Sequence, residues 1–224
     1  MNEQYSSRYE ILYKGKDFNE SEIPAKVQSF SMSLVYPDYD AWLHYYEKEE
    51  LCKAYTEGLS PYIEHIKKFP GSLTLDRSIG RCDSIDIQKY ANNLNKHCQE
   101  IFQKNGIPYI INVRFGDKKS YPFCFHDISQ NSILFIGNHG TQRFADYKAV
   151  QFAGTCELIK RKHPRILLVY GSVDKRILKE CTEQRISLLR YPSQCELAHA
   201  KKLPLISIKD GSNSEATSYI SMCY

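Results

Sequence analysis

Three short stretches of this chain place side chains suited to chemistry close together. The first is Asn112-Val113-Arg114-Phe115-Gly116-Asp117. In an extended segment the period of two puts Asn112 and Arg114 on one side and Val113 and Phe115 on the other. The planar fork of Arg114 suits a carboxylate or phosphate, which it can grip with two parallel hydrogen bonds. Gly116 lets the backbone turn. Asp117 is placed either to act as a base or to brace Arg114 as a structural partner. The second stretch is Gly137-Asn138-His139-Gly140. Glycines on either side of Asn138 and His139 permit an unusual turn. The imidazole of His139 titrates in the range needed for general acid–base work; a structural histidine held by a carbonyl is the alternative. The third is Gly171-Ser172-Val173-Asp174-Lys175-Arg176. A glycine turn entering a helix offers free N–H groups and the positive end of a dipole to an anion. Ser172 is equally placed to serve as a plain helix cap.

Familiar nucleotide and hydrolase signatures are missing. Neither GxxxxGK[ST] nor GxGxxG nor GxSxG occurs, so the Walker, dinucleotide and nucleophile-elbow chemistries are not indicated. Cys124, His126 and His139 form a conceivable metal triad if residues 124–126 are extended, because Cys124 and His126 then share a side. No fourth ligand stands at a diagnostic spacing, so no metal is assigned, and no cofactor is identified.

The elements that must carry these residues alternate in type. Apolar runs at 42–46, 72–75, 107–113, 133–136, 166–170 and 186–189 read as strands. They are continuous rather than alternating, as expected of strands covered on both faces. Residues 205–208 and 30–35 are further strand candidates. Helical spacing appears at 84–104, 144–162 and 174–184, with shorter patterns at 61–68 and 194–202. Strand–helix–strand spacing calls for parallel crossovers. We therefore expect an α/β fold of six or seven mostly parallel strands with intervening helices, as a short, irregular TIM-like barrel rather than an open doubly wound sheet. Residues 1–28 are polar and read as an N-terminal arm, with 29–224 as one α/β domain. Both architectures put ligands at the carboxyl ends of the strands. The residues just beyond the strands there are Glu47, Asp76, Arg114, Asn138, Gly171 and Ser193 with their neighbours.

Composition narrows the setting. Of 224 residues, 42% are hydrophobic and 25% charged, the profile of a soluble globular chain. No apolar run approaches the roughly 20 residues of a membrane helix, and the N-terminus lacks a signal-peptide core. We expect a cytoplasmic protein without membrane contact. The eight cysteines contain no CxxC and read as reduced, mostly buried thiols. The net charge of +4 is uneven. Residues 1–110 carry 13 basic and 16 acidic side chains, whereas 111–224 carry 17 and 10. A basic second half favours an anionic partner. Nucleic acid is a weaker expectation, because the pI near 8.5 lies below the range above 9 typical of such binders.

Taken together, NVRFGDKKSYPFCFHDISQNSILFIGNHG and the later ILLVYGS resemble an uncharacterised domain family of bacterial, phage and mobile-element proteins. Upstream, AWLHYYEKEE and FPGSLTLDRS resemble its aromatic first strand and its strand ending in Asp. The resemblance covers roughly residues 41–193 and implies a compact α/β domain, but no reaction. Its motif positions here are Asp76, Asn112, Arg114, Gly116, Asp117, His139, Gly140, Gly171 and Ser172. Members often have Pro or Phe beside the Asp of the second strand, and this chain does not.

The functional expectation is an enzyme acting on a phosphorylated small molecule or nucleotide. His139, Asp117 and Asp76 would supply acid–base chemistry. Asn112, Arg114, Gly116, Asn138, Gly140, Gly171 and Ser172 would bind substrate. The competing readings are a non-catalytic binder that sequesters a nucleotide or host protein, and a nucleic-acid-binding accessory protein.

Overall fold

The computed structural model describes residues 5–138 and 145–201. Within them, seven strands pair in parallel in chain order: β3 (Lys26–Ser29), β4 (Trp42–His44), β5 (Ser72–Leu73), β6 (Tyr109–Asn112), β7 (Ile133–Gly137), β8 (Ile166–Tyr170) and β9 (Ser187–Tyr191). Two more strands lie at the ends of this run. β1 (Ser6–Arg8) pairs antiparallel with β3, and β2 (Glu10–Tyr13) pairs antiparallel with β9. Only Tyr9 separates β1 from β2. One extended stretch therefore spans both edges and makes a nearly closed, barrel-like sheet.

The described residues thus hold nine strands, not six or seven: the six expected runs are joined by β3, parallel and mostly within 1–28, and by β1 and β2, which are antiparallel. They come from the stretch whose polarity suggests an arm. A strand there needs few apolar side chains, because its role is to satisfy edge N–H and C=O groups. Ser6 and Ser7 are buried. The strand expected at 30–35 is instead the helical turn α1 (Phe30–Ser33), entered directly from β3. The candidate at 205–208 lies outside the described residues.

Period-two alternation sorts the core into layers. Val27, Leu73, Ile110, Phe135, Leu168, Leu189 and their neighbours fill the barrel interior. Leu134, Ile136, Leu167, Val169 and Leu188 face outward. There they meet the helices α4 (Ile85–Lys104), α6 (Ala145–Lys162) and α7 (Lys175–Glu183). α4 starts where expected, with the Ser84 hydroxyl accepting from the Ile87 N–H. Short helical turns α2 (Lys53–Thr56), α3 (Ile63–Ile66) and α5 (Tyr121–Cys124) fill connections, and α8 (Gln194–Lys201) comes after β9. None of the described helices is long and apolar enough to cross a membrane.

The closing strand is fastened by a buried ion pair. Lys26 Nζ lies 2.8 Å from Asp38 Oδ2, with both side chains about 5% exposed. Asp38 also accepts from the Ser6 hydroxyl at 2.6 Å, which ties β1 to the pair. Burial pushes the Asp38 carboxyl up, but hydrogen bonds from Lys26, Ser6 and the Asp40 backbone outweigh it and hold it below the usual range. Its stabilisation is therefore present above the unfolded pKa and lost as pH falls through the folded one. Lys26→Met leaves the carboxylate buried and unpaired. We expect a loss of about 3–5 kcal/mol in urea unfolding at neutral pH. The double variant Lys26→Met/Asp38→Leu should lose less than Lys26→Met alone.

Candidate functional site

Side chains facing inward at the carboxyl ends of the strands change from apolar to polar. On β4 the parity of Trp42 and His44 continues to Tyr46. On β6 that of Ile110 continues through Asn112 to Arg114. Tyr46 belongs to the interior layer and Val113 and Phe115 to the outer one. The structure therefore places Asn112 and Arg114 on the expected face.

β5 reaches the same place by breaking its alternation. Leu73 packs in the interior, yet Leu75, two residues on, packs outside. Between them the Thr74 hydroxyl accepts from the Asn112 N–H at 2.9 Å, in place of a ladder carbonyl. The slip brings Asp76 inward. Asn112 Nδ2 donates to Asp76 Oδ1 at 2.7 Å and to the Leu75 carbonyl at 3.3 Å. The next residue is clamped from α4: Asn95 Oδ1 accepts from the Arg77 N–H at 2.8 Å, and Asn95 Nδ2 donates to the Arg77 carbonyl at 2.9 Å. Arg77 is turned away to Glu49, 3.0 Å distant.

Arg114 Nε lies 3.3 Å from Asp76 Oδ1, but the N–H is not aligned with that oxygen and has no hydrogen-bond acceptor among the described residues. The Arg114 side chain is only 19% exposed. The segment 111–114 also borders a small cleft under α4, where Asn92, Asn95 and Lys96 meet Ile111, Val113 and Ile128. Burial pushes the Asp76 carboxyl up to about 6, against the pull of Arg114 and the Asn112 hydrogen bond; Glu49 pushes in the same direction as burial.

Beside this trio stands an aromatic wall. The Tyr46 hydroxyl donates to Asn112 Oδ1 at 2.8 Å. The Tyr46 ring stacks on Tyr170 at 4.7 Å and 13°. Burial, chiefly, raises both phenols, so they stay protonated donors. His44 is buried, 4.5 Å from the Tyr170 ring. Its Nδ1 accepts from the Tyr46 N–H at 3.2 Å, which assigns the proton of the neutral ring to Nε2. On the far side, Glu47 accepts from the Ser31 N–H and hydroxyl at 3.1 and 3.2 Å, and burial raises its pKa. Gly137 makes room for Tyr46, since a Cβ there would lie 2.4 Å from its ring.

The expected residues divide accordingly. Asp76, Asn112 and Arg114 come together. Asn138, Gly171 and Ser172 form a second group: Asn138 N–H donates to the Tyr170 carbonyl, and its Nδ2 to the Ser172 carbonyl, each at 2.9 Å. Gly171 adopts φ +91°. Asp174, not Ser172, caps α7, and its carboxylate pairs with Arg176 at 2.6 Å. Gly116 and Asp117 shape the turn into α5. Asp117 Oδ1 accepts from the Lys119 N–H at 3.1 Å, and the Gly116 N–H donates to the Ser120 hydroxyl at 3.0 Å. His139 and Gly140 lie outside the described residues. The metal triad loses its basis, because Cys124 is buried in a helical turn with Pro122 at its start while His126 is exposed and paired with Asp127. His44, Tyr46 and Tyr170 are site residues that the sequence motifs do not single out. Period-two parity applied to 42–46 and 166–170, as to Asn112 and Arg114, would put all three on the inner face.

Asp76 gives the site a pH signature. A carboxyl raised by folding contributes stability that is full below its unfolded pKa and is lost as pH rises through the folded one. Asp76 should thus cost the fold about 2–3 kcal/mol between roughly pH 4 and pH 7. In urea unfolding against pH, Asp76→Asn should remove that decline; an unchanged slope would refute the assignment. Gly137→Ala should destabilise by about 1–3 kcal/mol through overpacking against Tyr46.

The Gene 1 protein of Mycobacterium phage L5 is 25% identical over 194 residues, covering 84% of this chain and 80% of its own. The Gene 1 protein of Mycobacterium phage D29 is 27% identical over 100 residues, 44% of this chain. That stretch spans about a third of the D29 protein, 35% of its length. No solved structure matches. The model of a family described as a domain of unknown function, DUF4417, matches residues 3–192. That range runs from the strand closing the sheet to the end of β9, so the chain belongs to the DUF4417 family.

Proposed function

We propose that this chain is an enzyme acting on an anionic small molecule, a phosphorylated metabolite or a nucleotide, at the carboxyl ends of the strands of a TIM-like barrel. One observation supports it above the others. Arg114 is largely buried and makes no hydrogen bond among the described residues, while the adjacent carboxyl of Asp76 is pushed to about 6. A guanidinium with unfilled donors beside a carboxyl poised near neutrality suits anion capture followed by proton transfer. In this reading Arg114 grips the anion, Asp76 gives or takes the proton, and Asn112 orients Asp76. The loop at Gly171 and Ser172, held by Asn138, forms the opposite rim.

The nucleic-acid reading has less support. Several cations of the second half are engaged within the molecule. Arg161 pairs with Glu157, Arg165 with Glu22 and Arg176 with Asp174, and Lys162 donates to the His126 carbonyl.

A thermal-shift screen against nucleotides and sugar phosphates tests the proposal, since a ligand of the native state raises the melting temperature by mass action. A hit should lose its shift in Arg114→Ala. Asp76→Asn should retain binding and lower turnover, followed by mass spectrometry, about 10²–10⁴-fold. A fully active Arg114→Ala would overturn the site. A bound ligand recovered chemically unchanged from the wild type would favour a sequestering binder instead.

A further inference from the structure

We infer that the site takes its oxyanion together with one proton, which Asp76 carries in the complex. The inference rests on the reading of Arg114 as the anion grip and extends it to the charge state of what is bound. Arg114 Nε lies 3.3 Å from Asp76 Oδ1 without a hydrogen bond between them. An oxyanion accepting from that guanidinium must sit within a few ångströms of the carboxyl.

The groups facing Asp76 leave little to offset a second negative charge. From β6 come Arg114 and the neutral Asn112 amide. From the β4 side come the Tyr46 phenol and the Glu49 carboxylate. From α2 comes the Tyr55 hydroxyl, which accepts from the Asp76 N–H. Arg77, next in the chain, is paired with Glu49. Among these, one cation would have to serve both Asp76 and the ligand. Two anions beside one cation in a half-buried site favour protonation of the group that titrates more easily. Burial already holds Asp76 at about 6, so a proton from solvent costs least there. Once protonated, the carboxyl keeps one oxygen for Asn112 Nδ2 and donates from the other to the bound oxyanion. The ligand class is then an oxyanion held between a guanidinium and a carboxylic acid.

Sulfate is the probe, because it does not titrate in this range and any proton taken up belongs to the protein. Calorimetry of the full chain in two buffers of different ionisation enthalpy reads that uptake. We expect close to one proton per sulfate at about pH 7.5 and little at about pH 5, with affinity falling about tenfold per pH unit above about pH 6. In Asp76→Asn the uptake should vanish and the affinity become independent of pH. Sulfate bound at about pH 7.5 without proton uptake would overturn the coupling and leave the anion grip standing, as would uptake that persists in Asp76→Asn. Failure of the wild type to bind sulfate even at about pH 5 would remove the grip and the coupling together. The wild-type pH series decides the matter even if Asp76→Asn folds poorly.

Discussion

A run of parallel strands leaves two edges, each with a row of N–H and C=O groups that must be paired, covered or left to water. Here one short stretch, residues 6–13, meets both edges at once: β1 pairs with β3 and β2 with β9. Everything else depends on that closure. It brings the two ends of the run together and encloses the apolar interior. It also leaves the carboxyl ends of the strands as one rim rather than an open line. The buried Lys26–Asp38 pair sits where β1 meets β3, and Ser6 joins it. A buried ion pair of this kind adds little net stability compared with well-packed apolar side chains. Its effect here is geometric, because it specifies where a polar strand must dock.

The rim is polar because the interior is already full. Phe135 and Tyr191 stack at 5.3 Å in the middle of the barrel, and Tyr46 occupies the space that Gly137 leaves open. Ligand chemistry is confined to the layer above these rings. There the strands supply side chains at fixed intervals, except at β5. The Thr74 hydroxyl substitutes for a carbonyl in the ladder and shifts the phase of Leu75 and Asp76. Without that slip Leu75 would face the rim and Asp76 the helices. That hydroxyl stands in the ladder at the break in alternation that carries the carboxyl into the site.

Much of this was legible in the sequence, and the limits have physical causes. Long apolar strands such as β8 and long amphipathic helices such as α4 are fixed by burial, which leaves a pattern in residue types. The placement of Asn112 and Arg114 came from parity alone. The closing stretch could not be read this way, because it pairs through backbone hydrogen bonds, its first half is polar and its second, Glu10–Tyr13, is only four residues long. The turn at α5 was hidden for a related reason: in a four-residue segment, Pro122 near the start outweighs any periodicity. Asp76 stands out by its position after a strand, but its inward direction depends on a hydrogen bond between distant segments. His44 and Tyr46 were masked by their aromatic neighbours, which made 42–46 look like ordinary strand filling.

The electrostatics of the rim is a balance between burial and one guanidinium. Desolvation raises Asp76, and Arg114 and Asn112 lower it without restoring an ordinary value. An aligned bidentate pair would pull the carboxyl down much further and use up both partners. The 3.3 Å offset keeps them electrostatically coupled and still available to a third group. Asn112 holds the offset in place. Its amide nitrogen fixes one Asp76 oxygen, its amide oxygen is fixed by Tyr46, and its backbone N–H is taken by Thr74. Groups following two neighbouring strands, β4 and β5, thus converge on one asparagine of β6, and a residue that neither titrates nor carries charge sets the relation between the two that do.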